Sequence, residues 1–209
     1  MRILIFGASG RTGREVVRHA LERQHVVTAF ARQPSKLVAK HPQLRLIEGD
    51  VGDLAAVRAA MPGQDAVVST LGVATPLKHD PVVIDGMRHI AAAMREVGVR
   101  RLIYQSFIGV SESRAAVGFV LRFVAPILLR EEIADHEVKE AIVKSSGTDW
   151  TIVRPPKLTD RAASGRYRIG DGIRTWVPLP MLARADVAEF IVRELEQPAY
   201  IHKAPRLLP

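Results

Sequence analysis

The first fourteen residues, MRILIFGASGRTGR, constrain the fold more tightly than any other segment. A short apolar run from Ile3 to Phe6 stops at Gly7, and glycines recur at Gly10 and Gly13. Val16, Val17, Ala20 and Leu21 then follow at helical spacing. The pattern predicts a strand, a tight turn and a helix opening beneath the turn. Such a turn brings a diphosphate against backbone N–H groups and the positive end of a helix dipole. Gly7 permits the turn, Gly10 lets the backbone approach the ligand, and Gly13 lets the helix pack on the strand. The spacing is G-x-x-G-x-x-G rather than G-x-G-x-x-G. The signal therefore lies in the context, directly after a strand and opening a helix, more than in the glycines alone.

The rest of the chain repeats this rhythm. Strands are predicted near Arg2–Phe6, His25–Phe30, Leu44–Glu48, Ala66–Thr70, Arg101–Gln105 and Trp150–Arg154. Helices are predicted near Arg11–Glu22, Ser35–Lys40, Asp53–Met61, Asp80–Val97, Glu131–Ser145 and Arg184–Glu194. Ile84, Met87, Ala91, Met94 and Val97 give the fourth helix one apolar stripe, so its methionines read as core filler. Alternating strands and helices predict an α/β, Rossmann-type, doubly wound parallel sheet with helices on both faces. Residues 1–209 are read as a single NAD(P)-binding domain, with substrate-side excursions near 107–130 and 160–180. A short strand pair is expected near Tyr167–Ile169 and Thr175–Val177.

Composition narrows the function classes. The chain has no cysteine, which excludes disulfides, thiolate catalysis and cysteine-held metals. Its histidines show no metal-ligand spacing, so no metal site is expected. Thirty basic residues against twenty-two acidic ones give a net charge of +8, which suits an anionic partner. The basic residues are scattered and aromatics are only 5%, so no specific nucleic acid is expected. No leader-like segment and no membrane-length apolar run are seen, which predicts a cytoplasmic protein without a membrane partner.

In an open parallel sheet the ligand lies beyond the C-terminal strand ends. Strand one offers Gly7, Ser9, Gly10, Arg11, Thr12 and Gly13 to the phosphates. Strand two ends in TAFAR, with Arg32 where an NAD-selective site places Asp or Glu, and with no acidic residue between Thr28 and Lys40. A guanidinium suits a ribose 2′-phosphate, so NADP(H) is expected. At strand three, Asp50 is a candidate acceptor for the adenine amino group and Val51 a candidate packing face. The alternative for that corner is a helix cap. At strand four, Leu71 and Gly72 run close to the cofactor, and the loop onward to Asp80 is placed near the ribose or pyrophosphate. Ser106 ends strand five beside the expected nicotinamide, Pro155 and Pro156 form a stiff edge after strand six, and Lys157 projects to the substrate side. His136 shares a helix face with Lys139 and Glu140 and is a candidate proton donor. Trp150 and Trp176 read as packing residues.

With these residues in view, the chain resembles the atypical short-chain dehydrogenase/reductase group. More narrowly it resembles NAD(P)H-binding proteins similar to biliverdin reductase B, or flavin reductase, with NmrA-like regulators as wider relatives. The likeness rests on GASGRTG, on Arg32, the Gly49-Asp50 corner and Ser106, on DWTIVRPPKLTD from Asp149 to Asp160, and on Arg184-Ala185-Asp186-Val187-Ala188. The resemblance implies an active-site role for Ser106 and matches Asp135-His136 to an Asp-His pair. It puts Lys157 where the flavin reductase has a histidine, a departure that weakens any claim to the same substrate. The Tyr-x-x-x-Lys pair of alcohol–ketone chemistry is absent, since none of Tyr104, Tyr167 and Tyr200 has a lysine four residues on. The implied activity is NADPH-dependent hydride transfer to a planar conjugated small-molecule acceptor, an aromatic ring system such as a flavin, quinone or tetrapyrrole. The alternative is a non-catalytic NADP(H)-sensing regulator of the NmrA-like kind. The resemblance implies a monomer, while the apolar stretch Phe119–Leu129 leaves a lid or a subunit contact open.

Overall fold

In the computed structural model, residues 1–37, 40–72 and 80–209 are described. The elements run β1 (Arg2–Phe6), α1 (Arg11–Glu22), β2 (Val26–Ala31), β3 (Leu44–Glu48), α2 (Leu54–Ala60), β4 (Ala66–Ser69), α3 (Pro81–Val97) and β5 (Arg101–Gln105). They continue with α4 (Ala125–Leu128), α5 (Arg130–Lys144), β6 (Asp149–Val153), β7 (Lys157–Thr159), β8 (Arg168–Gly170), β9 (Met181–Ala183), α6 (Arg184–Glu196) and β10 (Arg206–Leu208).

Six strands form one parallel sheet in the order β3-β2-β1-β4-β5-β6. This is the doubly wound order, with its direction reversing between β1 and β4. The strands of such a sheet are covered on both faces, so they read as apolar runs. In β1, Ile3 and Ile5 face the cluster built by α1 and α6, while Leu4 and Phe6 face the cluster built by α2, α3 and α5. Asp53 caps α2 by accepting from Ala55 and Ala56 N–H. Pro81 opens α3 and Gly98, at φ +76°, closes it.

Several local expectations need correction. The expected helix at Ser35–Lys40 is a single 3-10 turn over Pro34–Lys36, and residues 38–39 of that stretch lie outside the described ones. A proline-led segment this short closes one turn without propagating. Of the stripe on α3, Val97, the last helical residue before the Gly98 cap, is 45% exposed. Near the substrate side, β8 pairs antiparallel with β10 and not with residues 175–177, and β7 pairs in parallel with β9. Trp176 is 74% exposed rather than packed, whereas Trp150 packs against the α3 side of the sheet.

The stretch Phe119–Leu129, expected to be a lid or a subunit contact, forms a π-helical turn over Val120–Val124 and α4, and a 3-10 turn over Ser111–Ala116 precedes it. Phe119, Phe123, Ile127 and Leu128 are exposed there. Among the described residues no helix is long and apolar enough to cross a membrane.

Candidate functional site

The glycine turn is a built cradle. Gly7 sits at φ +78°, and a Cβ there would lie 2.9 Å from Thr70 Oγ1. A Cβ on Gly13 would lie 2.2 Å from the Gly7 carbonyl oxygen, so only glycine lets α1 seat on the turn. Gly10 N–H donates to Gly7 O at 2.9 Å, and Arg14 Nε donates to Ser9 O at 2.9 Å, which fixes the turn from both sides. Gly10 caps α1 without a side-chain hydrogen bond, and no acidic residue stands in the first turn. The first N–H groups of α1 therefore remain available to an anion.

From this cradle a crevice of about 450 Å³ runs along the strand ends. It is lined by Gly7, Ser9, Gly10, Arg11 and Thr12, by Arg32 at the end of β2, by Asp50 and Val51, and by Leu71 and Gly72. Gly13 lies beneath it and supports the turn. Arg32 is exposed on the rim. Asp50 accepts from Gly52 N–H at 2.8 Å, so one of its oxygens closes the local turn. The expected approach of the loop leading to Asp80 falls on residues 73–79, outside the described residues.

A second cavity of about 380 Å³ continues the first and shares Thr70, Leu71, Gly72, Gln105, Glu132 and Leu158 with it. Its walls bring together Ser106, His136, Pro155 and Lys157, all singled out from the sequence, with Phe107, Leu129, Ile133 and Leu179. Ser106 N–H donates to Val153 O at 2.8 Å and Ile108 N–H to Pro155 O at 2.9 Å, which ties the loops after β5 and β6 into one wall. Ser106 is 2% exposed, and its Oγ has no hydrogen-bond partner among the described residues. Gln105 Oε1, on the shared wall, is likewise unpaired. Buried polar atoms left this way are costly unless a ligand satisfies them. The cradle at one end and these orphaned atoms at the other fit a dinucleotide laid along the crevice.

The three residues expected on one face of α5 have separate fates. The His136 ring is buried, with Nδ1 2.7 Å from Tyr104 Oη and Phe107 at right angles to it, ring centroids 4.9 Å apart. Burial, helped by the nearby Lys139 charge, pushes its pKa well below the usual value. Glu140 grips Arg154 through two hydrogen bonds of 2.9 and 2.5 Å, with both side chains out of water. Arg154 also reaches Glu112 at 2.5 Å. Burial pushes Glu112 up, but its bonds to Arg154 and to backbone outweigh this and hold it at about 2. Lys139 is fully buried and its Nζ has no hydrogen-bond partner among the described residues. Burial lowers it to about 8, against the pull of Asp135, Glu132 and Asp80.

Sequence reasoning missed Thr70, Gln105 and Glu132 as wall residues. Glu132 precedes His136 by four positions, so helical spacing could have found it. Arg184 was seen only as part of a motif, yet it lines the crevice and meets Asp160 at 2.5 Å, with Arg11 on the other Asp160 oxygen at 3.4 Å.

A family model described as NAD(P)H-binding matches residues 7–198. A (4-alkanoyl-5-oxo-2,5-dihydrofuran-3-yl)methyl phosphate reductase of Streptomyces griseus is 33% identical over 153 residues, which are 73% of this chain and 46% of that protein. The chain thus spans about half the length of that relative. A 2-alkyl-3-oxoalkanoate reductase of Stenotrophomonas maltophilia is 30% identical over 230 residues, 95% of this chain and 67% of the relative. The solved structure of ChuY, an anaerobillin reductase from Escherichia coli O157:H7, superposes with a TM-score of 0.79 at 25% identity, covering 99% of this chain and 96% of that one. These matches reach the broad Rossmann-type, NAD(P)-binding, oxidoreductase-like family. They do not single out the flavin reductase branch or the NmrA-like regulators within it.

Proposed function

The chain belongs to the NAD(P)H-binding family, and on that premise we propose that it is an NADP(H)-dependent reductase of a planar conjugated acceptor such as a flavin, quinone or tetrapyrrole. The observation that carries this reading is the buried, unpartnered Ser106 Oγ in the wall of a largely apolar cavity that opens on the dinucleotide crevice. The second cavity extends past the residues it shares with the crevice, to Phe107, Leu129, Ile133 and Leu179, which gives an acceptor a place beside the dinucleotide. The reductase names of the two curated relatives and of the ChuY structure support the same reaction class.

When bound, the cofactor supplies the hydride. The chain's own residues hold the two rings together. Pro155 and Pro156 give a flat, donor-free wall, Ser106 Oγ offers a hydrogen bond, and Phe107, Ile133 and Leu129 exclude water. A conjugated ring spreads the incoming charge, so the missing Tyr-x-x-x-Lys pair is no obstacle.

The test is NADPH oxidation with a panel of flavins, quinones and tetrapyrroles. Tight NADPH binding without turnover of any of them would favour the sensor reading. Ser106→Ala is expected to lower kcat by less than the 10²–10⁴-fold of a proton-transfer group, and to leave the adenine half of the cofactor bound as before. Cofactor choice rests on Arg32, exposed on the crevice rim with no acidic residue nearby in sequence. Arg32→Ala is expected to weaken NADPH binding by about 1–3 kcal/mol, the scale of a charged hydrogen bond, and NADH binding much less. Equal losses for both in a titration would contradict the NADP(H) assignment.

A further inference from the structure

We propose that Tyr104 locks His136 as a neutral imidazole carrying its proton on Nε2, so that His136 presents a fixed hydrogen-bond donor to the acceptor and does not act as a general acid. This deepens the reductase reading and rests on it for the identity of the acceptor. It selects acceptors that present a lone pair at that point, a carbonyl oxygen or an unprotonated ring nitrogen, over those that present only N–H or O–H groups.

The geometry decides the tautomer. Tyr104 is fully buried on β5, and the only hydrogen-bond partner of its hydroxyl among the described residues is His136 Nδ1 at 2.7 Å. A buried hydroxyl that accepted from Nδ1–H would leave its own hydrogen without an acceptor, at the cost of an unmade bond. The hydroxyl therefore donates, Nδ1 accepts, and Nε2 keeps the proton. The Nε2 edge has no protein partner among the described residues, and His136 lines the acceptor cavity.

Burial first, and the charged groups around the pair second, keep both rings neutral. On α5 these are Glu132, Asp135, Lys139 and Glu140, Asp80 stands at the start of α3, and Lys157 lies across the cavity. Burial, reinforced by Glu140 and Asp135, raises Tyr104 well above the usual phenol value, while burial and Lys139 lower His136. A neutral imidazole can polarise a carbonyl. As hydride reaches the acceptor, negative charge grows on the heteroatom that Nε2–H bonds. The balancing proton comes from water, because giving up the Nε2 proton would require an imidazolate or a buried tyrosinate.

The test reads the ring directly. Nitrogen-15 NMR of the intact protein with labelled histidine, in the absence of any acceptor, is expected to show His136 as the Nε2–H tautomer without titration between about pH 5.5 and 8.5. Tyr104→Phe is expected to mix the two tautomers and to lower kcat roughly 10-fold, with the NADPH KM unchanged. His136→Gln, which keeps an N–H donor, is expected to retain more activity than His136→Leu. An Nδ1–H tautomer, a midpoint near 6.5, or a loss in His136→Leu that low pH restores would overturn the proposal. A locked tautomer in a protein that turns over no acceptor would support the lock and overturn the reductase reading instead. If Tyr104→Phe does not fold, the parent spectrum and the Gln/Leu pair still decide.

Discussion

Arg154→Ala is expected to lower the free energy of unfolding by about 3–5 kcal/mol, the scale on which a desolvated ion pair loses one partner. Arg154 is 0% exposed, and Glu140 opposite it is 1% exposed. Their attraction must offset a large desolvation cost for both ions, and the fork-on-carboxylate geometry supplies the bonds that do so. Removing the guanidinium strips the buried Glu140 carboxylate of two hydrogen bonds and leaves it Lys144 Nζ at 3.6 Å, a partly exposed and weaker counter-charge. In a chain of this size the melting temperature should fall by roughly 6–20 °C. Glu112 contributes less, because its side chain is 59% exposed and solvent screens it. The double variant Arg154→Met with Glu140→Leu should recover much of the loss, since two apolar groups leave no charge stranded. Urea melts of the single and double variants check this. A single-variant loss under about 1 kcal/mol would mean that water reaches the pair.

The second large effect is a rise in stability with pH that belongs to Lys139. Its folded pKa of about 8 lies below the ordinary 10.5. Below pH 8 the ammonium is charged in both states, and the folded protein bears the full cost of burying it. Above pH 8 the folded protein releases a proton that the unfolded chain still holds, so stability rises with pH through this window. Between pH 8 and about 9.5 the gain should be roughly 2 kcal/mol. Lys139→Met should abolish this rise and be the more stable protein at pH 7. Denaturation midpoints across the pH series test the difference, and parallel curves for parent and variant would contradict it.

The cofactor half of the site was legible because its determinants are local. A strand, three glycines and a helix fall between Arg2 and Glu22, and Gly10 and Gly13 are needed by contacts inside that same segment, as the Gly13–Gly7 approach shows. Arg32, Ser106 and Pro155 were legible for a related reason: strand ends converge on one edge of a parallel sheet whatever the loops do. The second cavity was less so. Tyr104 and His136 meet across thirty-two positions, and no pattern in either segment announces the pairing. The three-residue strands β7 to β10 are too short for alternation to show, so the guess that paired 167–169 with 175–177 had only composition behind it. Trp176 illustrates the same limit. An aromatic outside any periodic segment has no phase from which to read its face, and it lies exposed.

The pairing of β10 has a consequence for how the protein is made. β6 is an edge strand of the sheet, and residues 202–207 run along its outer side, with His202 N–H on Trp150 O at 2.7 Å, Ile152 N–H on Lys203 O at 3.0 Å and Leu207 N–H on Arg154 O at 3.1 Å. Every other element of the sheet is synthesised before this cover. A nascent chain can therefore assemble β1 to β6 as it leaves the ribosome while one edge of the sheet stays bare. An uncovered edge is a template for pairing with other chains, and the interval before residue 208 emerges is the period in which a chaperone would have most to protect. Leu207 and Leu208, both fully buried, join this cover to the cores on the two sides of it, Leu207 with α1 and α6 and Leu208 with Ile108 and Val117.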